Sequence, residues 1–315
     1  MNSSTHIITG VAGFIGSRLA QQLIENNNKV IGIDNFLLGT KDNIEKLKKF
    51  NDNFVFINKD LSSYNDIQGL VDELINYKDI ECMWHLAANS DISGSVNALK
   101  VDLENTFFTT LTAGVLCEKL GIKEVVFSSS SAVLGSVPVK ISENHGPLLP
   151  ESYYGAMKLA SEAYLSSLKT YSIEKYTFFR FPNVIGKDTT HGIIFDFKNK
   201  LKEKPEFLNV LGDGNQKKPY LFIDDLIQGM IHIRGVDLEN RIINLSPLDS
   251  GITVKKIAEL AINILSPRTV AKYETKAYGW PGDVTRYEYS TEKLQKTGWS
   301  PKFSSEEAVV KSLEI

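Results

Sequence analysis

Tyr154 and Lys158 stand four residues apart in the run Ser152-Tyr153-Tyr154-Gly155-Ala156-Met157-Lys158-Leu159-Ala160-Ser161-Glu162, which reads as a helix. Residues four apart share a helix face, so a phenol and an ammonium meet there. A tyrosine ordinarily titrates near pH ~10. A cation one turn away favours the phenolate and lowers that value, which suits the group to take a proton from an alcohol near neutral pH. Tyr153 lacks such a partner, because four residues on stands Met157. An exposed amphipathic pair has the same spacing, so the pair gains meaning only from the rest of the chain.

A second set of residues reads as a dinucleotide site. The run from Thr5 to Thr9 reads as a strand, and Gly10-Val11-Ala12-Gly13-Phe14-Ile15-Gly16 as a turn opening a helix, with Ile15, Leu19 and Leu23 at helical spacing. Glycines let the backbone turn tightly and approach a pyrophosphate, whose charge is stabilised by the N–H groups and dipole at the helix start. The spacing is Gly-x-x-Gly-x-x-Gly rather than Gly-x-Gly-x-x-Gly. A strand at Val30 to Ile33 ends in Asp34-Asn35, about 20 residues on, where a carboxylate meets the adenosine ribose. Asp34 at that place implies NAD, because the carboxylate accepts from ribose hydroxyls and repels the extra phosphate of NADP. The strand Phe54 to Ile57 runs into Asp60-Leu61, at the adenine edge. After the strand Ile80 to His85, Leu86-Ala87-Ala88 has small side chains that let the backbone lie close to a cofactor, and His85 reads as a packed strand residue. The strand Glu124 to Phe127 ends in Ser128-Ser129-Ser130-Ser131, and ligands of open parallel sheets bind beyond the carboxyl ends of the strands.

The elements that must position these groups alternate: a helix over about 64–77, a long helix over about 99–120 containing Asn105, and a strand from Thr177 to Phe181. This predicts an α/β fold with a doubly wound parallel sheet, a Rossmann arrangement, and a smaller C-terminal mixed α/β substrate lobe. The expected NAD-binding domain is 1–185 plus about 220–248, and the expected substrate lobe about 186–219 plus 249–315. Beyond Pro182 the pattern turns to loops, with a turn at Gly212-Asp213-Gly214 and Ile223-Asp224-Asp225 expected to return to the sheet. The segments Val254 to Ile264 and Trp280 to Trp299 are expected to build the lobe. A net charge of −3, from 35 basic and 38 acidic residues, gives no electrostatic reason to expect nucleic acid or an anionic membrane as partner. No apolar run reaches the ~20 residues of a membrane span. The N-terminal residues enter a strand too early for a secretory signal, and Cys82 and Cys117 read as reduced thiols of a cytoplasmic protein. The five histidines show no metal-ligand spacing, so no metal is expected.

Together these residues resemble the extended short-chain dehydrogenase/reductase family, in particular nucleotide-sugar epimerases and dehydratases of the UDP-galactose 4-epimerase type. The resemblance spans nearly the whole chain: Thr9-Gly10 to Gly16, Asp34-Asn35, Asp60-Leu61, His85 to Ala88, Asn105, Ser128 to Ser130, Tyr154 to Lys158, Arg180-Phe181-Pro182-Asn183, Gly212 to Gln216 and Pro281-Gly282-Asp283. It implies NAD held by Gly10, Gly13, Phe14, Ile15, Gly16, Asp34, Asn35, Asp60, Leu61, Leu86, Ala87, Ala88, Asn105, Ser128 and Phe181 together with Tyr154 and Lys158. It makes Ser130, five residues before Gly135, the catalytic serine, and places Asn183, Lys218, Tyr220, Trp280 and Asp283 on a nucleotide-diphosphate sugar. The implied chemistry is hydride transfer from carbon 4 of the sugar to NAD while Tyr154 takes the hydroxyl proton, giving a 4-keto sugar.

The family's 4,6-dehydratases place Asp-Glu after the catalytic residue, where this chain has Ser131-Ala132. The Glu of the decarboxylases and the Cys and His of the 3,5-epimerase/reductases find no match. A 4-epimerase is favoured; the alternative is a net carbon-4 dehydrogenase, for example of a GDP- or ADP-linked hexose or heptose. A non-enzymatic NAD sensor has no need of Ser130, Tyr154 and Lys158. Lys218, followed by Pro219, and Trp280 stand where the galactose epimerases carry arginines, and Leu134 where they carry a tyrosine. A different nucleotide or an unusual sugar fits these departures. The helices containing Asn105 and Tyr154 resemble those that pair two subunits in a four-helix bundle, so a homodimer or larger homo-oligomer is expected.

Overall fold

A computed structural model describes residues 3–63, 66–91, 98–137, 140–239, 241–279 and 284–315. The sheet strands are β1 (Thr5–Thr9), β2 (Lys29–Asp34), β3 (Phe54–Asn58), β4 (Ile80–His85), β5 (Glu124–Ser130), β6 (Lys175–Phe181) and a seventh, Ile242–Asn244. Their order across the sheet is Ile242–Asn244, β6, β5, β4, β1, β2, β3. β1 pairs in parallel with β2 on one side and β4 on the other, and β2 with β3 and β4 with β5 are likewise parallel. The strand order therefore reverses at β1, and a crevice for a ligand opens where the chains leaving β1 and β4 diverge.

Strands covered on both faces need near-continuous apolar runs. β2 buries Val30, Ile31, Gly32 and Ile33 in succession, and β5 is buried along its whole length. Helices α1 (Phe14–Glu25), α2 (Lys41–Lys48), α3 (Ile67–Leu74), α4 (Ala98–Asp102), α5 (Thr109–Leu120) and α6 (Tyr153–Ser167) flank these strands. One core cluster joins Ile7, Ile31, Met83, Val125 and Phe127 of the sheet to Leu116 of α5 and Leu165 of α6. Each such side chain contributes about 1.5–3 kcal/mol on burial.

The long helix expected from about 99 is divided. Between α4 and α5 the chain makes a wide π-turn, Leu103–Phe108. The carbonyl of Asn105 accepts the Asn89 N–H at 3.1 Å, and a carbonyl drawn away from the ordinary ladder leaves room for the extra residue of such a turn.

The chain divides into two compact units, Met1–Ser129 with Tyr153–Phe179 and Leu238–Ile242, and Ser130–Ser152 with Arg180–Asp237 and Ile243–Ile315. Among the described residues, the second unit has three two-stranded pairings: Asn183–Ile185 with Tyr220–Phe222, Lys217–Lys218 with Ile252–Thr253, and Phe207–Val210 with Val270–Tyr273. Its helices include Ile193–Glu203, Ile223–Arg234, Val254–Leu265, Glu292–Lys296 and Ser305–Glu314.

Ile223-Asp224-Asp225 does not return to the sheet as a strand: the strand is Tyr220–Phe222, and a helix begins at Ile223. Ile223, Leu226, Ile227 and Met230 are all buried, at helical spacing, and the two aspartates lie in the first turn, where carboxylates complement the helix dipole. Asp225 is further held by accepting the N–H groups of Lys302 and Phe303 at 3.0 and 3.1 Å. Among the described residues, no helix is long and apolar enough to cross a membrane.

Candidate active site

In the first unit, the turn after β1 is shaped by backbone that tolerates no side chain. Gly10 has φ of +72°, and a Cβ there would stand 2.8 Å from the Ala87 nitrogen. A Cβ on Gly16 would stand 2.1 Å from the Gly10 carbonyl oxygen, so the first turn of α1 lies directly against the turn that precedes it. No side chain caps α1 at Gly13, and no acidic residue occupies its first turn. The positive end of the helix is thus kept for an anion. Phe14 and Ile15 begin the helix, half-buried.

Asp34, at the end of β2, closes the turn. Its Oδ2 accepts the Ala12 N–H at 2.9 Å and its Oδ1 the Phe36 N–H at 2.7 Å. Burial pushes its carboxyl above the usual range, and these backbone N–H bonds draw it back. A carboxylate offers about four acceptor positions, more than the backbone takes up, so capacity remains for a ribose hydroxyl. Asn35 is exposed and accepts the Leu37 N–H, while Asp60 is exposed and accepts the Ser62 N–H beside the buried Leu61. With a positive-φ turn that a Cβ would fill, an uncapped helix start and an acceptor at the ribose position, the first unit fits a dinucleotide.

A buried polar chain links β1 to α6. Thr9 Oγ1 accepts the N–H groups of Leu86 and Ala87, both at 3.2 Å, so its proton goes to His85 Nδ1 at 2.7 Å. That assigns the His85 proton to Nε2, which donates to Thr110 Oγ1 at 3.0 Å. Thr110 in turn stands 2.9 Å from Ser161 Oγ on α6, and Ser161 donates to the Met157 carbonyl. Burial pushes His85 down to about 3, with the Lys158 charge acting the same way. The ring lies stacked on Phe127, at 5.6 Å between centroids. His85 is thus the packed strand residue that its setting in the sequence suggests. Ala88 is half-buried beside Asn89, and Asn105 Nδ2 donates to the Val101 carbonyl.

On α6, Tyr154 and Lys158 share one face. Tyr154 is 9% exposed and Tyr153 54%, so only the first is enclosed. Lys158 Nζ donates to the Ser128 carbonyl at 2.6 Å, lies 4.6 Å from the centre of the Phe127 ring and 5.8 Å from that of Tyr154. Burial pushes Lys158 down to about 7, and the Glu162 carboxylate pulls it back up. Ser128 Oγ donates to the His85 carbonyl. Ser129 Oγ donates to Glu162 Oε1 at 2.5 Å. Glu162 was not singled out from the sequence, although it continues the four-residue register of Tyr154 and Lys158. Thr110 and Ser161 left no signal in hydropathy.

The remaining candidates lie in the second unit. Ser130 ends β5 and its Oγ accepts the Ala132 N–H at 3.1 Å, which leaves its own proton to donate. Ser131 donates to the Tyr287 hydroxyl at 3.1 Å. Leu134 is buried. Phe181 is half-buried and Asn183 exposed. Lys218 is buried with Nζ 6.0 Å from the centre of the Tyr287 ring, and the buried Tyr220 gives its N–H to Ser305 Oγ. Trp280 and Asp283 lie outside the described residues.

The sequence profile of the NAD dependent epimerase/dehydratase family matches residues 6–246. A Methanocaldococcus jannaschii protein proposed to be a UDP-glucose 4-epimerase is 29% identical, over 96% of this chain and 95% of its own. Among solved structures, a UDP-N-acetylglucosamine 4-epimerase from Methanobrevibacter ruminantium superposes with a TM-score of 0.84 at 28% identity, over 100% of this chain and 98% of its own. The UDP-glucose 4-epimerase of Thermotoga maritima, solved with UDP-glucose, gives 0.86 at 26% identity, over 98% and 97%.

Proposed function

This chain belongs to the NAD dependent epimerase/dehydratase family, and from that premise we propose that it interconverts the carbon-4 epimers of a nucleotide-diphosphate sugar with NAD as cofactor. The observation that carries the proposal is the enclosed phenol of Tyr154 one helical turn from an ammonium pinned to the Ser128 carbonyl at 2.6 Å. When bound, NAD supplies a hydride acceptor that later returns the hydride to the sugar. Gly10, Gly13 and Gly16 with Phe14 and Ile15 are assigned to the pyrophosphate, Asp34 with Asn35 to the adenosine ribose, and Asp60 with Leu61 to the adenine. Leu86, Ala87, Ala88, Asn105, Ser128 and Phe181 complete the cofactor set.

Tyr154 takes the proton of the carbon-4 hydroxyl and gives it back in the reverse step. Lys158 stabilises the phenolate and holds the nicotinamide ribose. Ser130, whose oxygen is already occupied as an acceptor, is assigned as donor to the sugar oxygen. Asn183, Lys218, Tyr220, Trp280 and Asp283 are assigned to the sugar nucleotide. Ser131 and Ala132 carry neither an acid nor a base at pH 7, which leaves elimination of water without its groups. The buried thiols Cys82 and Cys117 suit the reducing cytoplasm, where we place the enzyme.

The named relatives act on UDP-linked sugars, so UDP-glucose and UDP-galactose head a panel that also includes GDP-, ADP- and dTDP-sugars. Products followed by NMR should show a 4-epimer without build-up of NADH. A ketone with stoichiometric NADH and no 4-epimer from any of them would replace this reading by a net dehydrogenase.

A further inference from the structure

Lys158 is a fully enclosed cation. Its surroundings supply one carbonyl at 2.6 Å and the face of the Phe127 ring at 4.6 Å. A carbonyl and a ring face do not match the hydration that a buried ammonium loses, so such a group tends to give up its proton. A neutral amine would still accept or donate hydrogen bonds, yet it would no longer favour a phenolate. Something must keep the charge in place.

Among the described residues, the titratable groups facing Lys158 are few. Tyr154 lies one turn back on α6, at 5.8 Å from ring centre to Nζ. His85, on β4, is neutral and locked by Thr9 and Thr110. From β5 come only Phe127, the Ser128 carbonyl and the Ser129 hydroxyl. The remaining group is Glu162, one turn onward on α6 and 4% exposed. Ser129 Oγ, on the strand beside it, donates to its Oε1 at 2.5 Å. A buried carboxylate is costly unless it is hydrogen-bonded and near a positive charge; here Ser129 supplies the hydrogen bond, and Lys158, one turn back on the same helix, is near enough for the two charges to favour each other.

Resting on the proton-transfer reading of Tyr154 above, we propose that Glu162 is a positioning residue for the reaction: oriented by Ser129, its carboxylate keeps Lys158 in the ammonium form that the Tyr154 phenolate requires. With one proton removed, the pair exists either as ammonium with phenolate or as amine with phenol. Glu162 is one turn from Lys158 and two from Tyr154, so it stabilises the ammonium more than it opposes the phenolate. It therefore favours the active arrangement of the two at an unchanged proton count.

Glu162→Gln keeps the size and an oxygen for Ser129 and removes only the charge. In the full-length protein we expect the pH profile of kcat to move toward lower pH on both limbs by about one unit, with a plateau about tenfold lower. Glu162→Asp, which restores the charge, should return the limbs toward those of the wild type. Independently of turnover, the Lys158 Cε resonance, identified by its loss in Lys158→Arg, should titrate about one unit lower in Glu162→Gln. Loss of packing alone would lower stability without moving either titration. Unmoved limbs together with an unmoved Lys158 midpoint overturn the role of Glu162. Full activity in Tyr154→Phe overturns the proton-transfer reading instead, and the lysine titration then still decides whether Glu162 sets the charge.

Discussion

The two adjacent tyrosines of α6 separate chemistry from surface. Tyr154 is enclosed with the Lys158 side chain beside its ring, whereas Tyr153 points away and is exposed. Tyr154→Phe should therefore lower kcat by about 10²-fold or more, the loss typical of a positioned acid/base, with NAD affinity and thermal midpoint nearly unchanged. Tyr153→Phe should keep nearly full activity, and steady-state kinetics on both variants make the comparison. This pair was legible in the sequence because a four-residue spacing on a helix maps directly onto one face. Asp34 was legible for a similar reason, as an acidic residue at the end of the second strand. Its acceptor-only oxygens, already held by backbone N–H groups, suit a ribose hydroxyl and repel a phosphate. Titration should give a clear preference for NAD over NADP, and Asp34→Asn should narrow it by removing the repulsion; equal affinity of the wild type for both would contradict the assignment.

Among the elements, six of the sheet strands were readable from short apolar runs such as Val30 to Ile33 and Val125 to Phe127, which suit strands that are buried almost along their whole length; the short seventh strand, Ile242–Asn244, was not. The π-turn at Leu103–Phe108 was not, since hydropathy records which side chains are buried but not that the Asn105 carbonyl has been taken by Asn89. The start of the helix at Ile223 was missed for a related reason: a short apolar run before two aspartates fits a strand end as well as a capped helix start. The chain of hydroxyls that ties β1 and β4 to α5 and α6 through His85 was equally invisible, and it carries a measurable consequence. His85 is neutral in the folded protein, pushed down to about 3 from 6.5. Because protonation favours the unfolded chain, the stability that the neutral ring contributes is complete above about pH 6.5 and is lost as pH falls toward 3. Over that window it adds a slope of about 1.4 kcal/mol per pH unit. Denaturant titrations at several pH values should show that slope, and His85→Gln, which cannot titrate, should be less stable at neutral pH but flatter toward acid. Equal slopes for the two proteins would mean that His85 protonates without unfolding.

At the scale of the whole molecule, three of the passages between the two units fall within strands, at Ser129/Ser130 in β5, Phe179/Arg180 in β6 and Ile242/Ile243 in the seventh strand. No change of composition marks a passage within a continuous strand, which is why it cannot be read from the sequence. The association of subunits is more open to argument from the residues. Leu99 on α4, Phe108 in the π-turn and Tyr153 on α6 are 49%, 37% and 54% exposed in the single chain, large side chains on the helices expected to pair. Apolar groups on a helix face gain by being removed from water, and interfaces of permanent homodimers resemble a domain core divided in two. We therefore expect light scattering to return about twice the 35.2 kDa of the chain, or a larger multiple, at micromolar concentration. Phe108→Glu should shift the mass toward the single chain, because an unpaired carboxylate would have to be buried on association. A substitution at the exposed Tyr171, beyond the end of α6, should leave the mass unchanged. If the wild-type protein itself scatters as a single chain, the exposed face of these helices has another use and the subunit pairing expected from the family does not extend to this member.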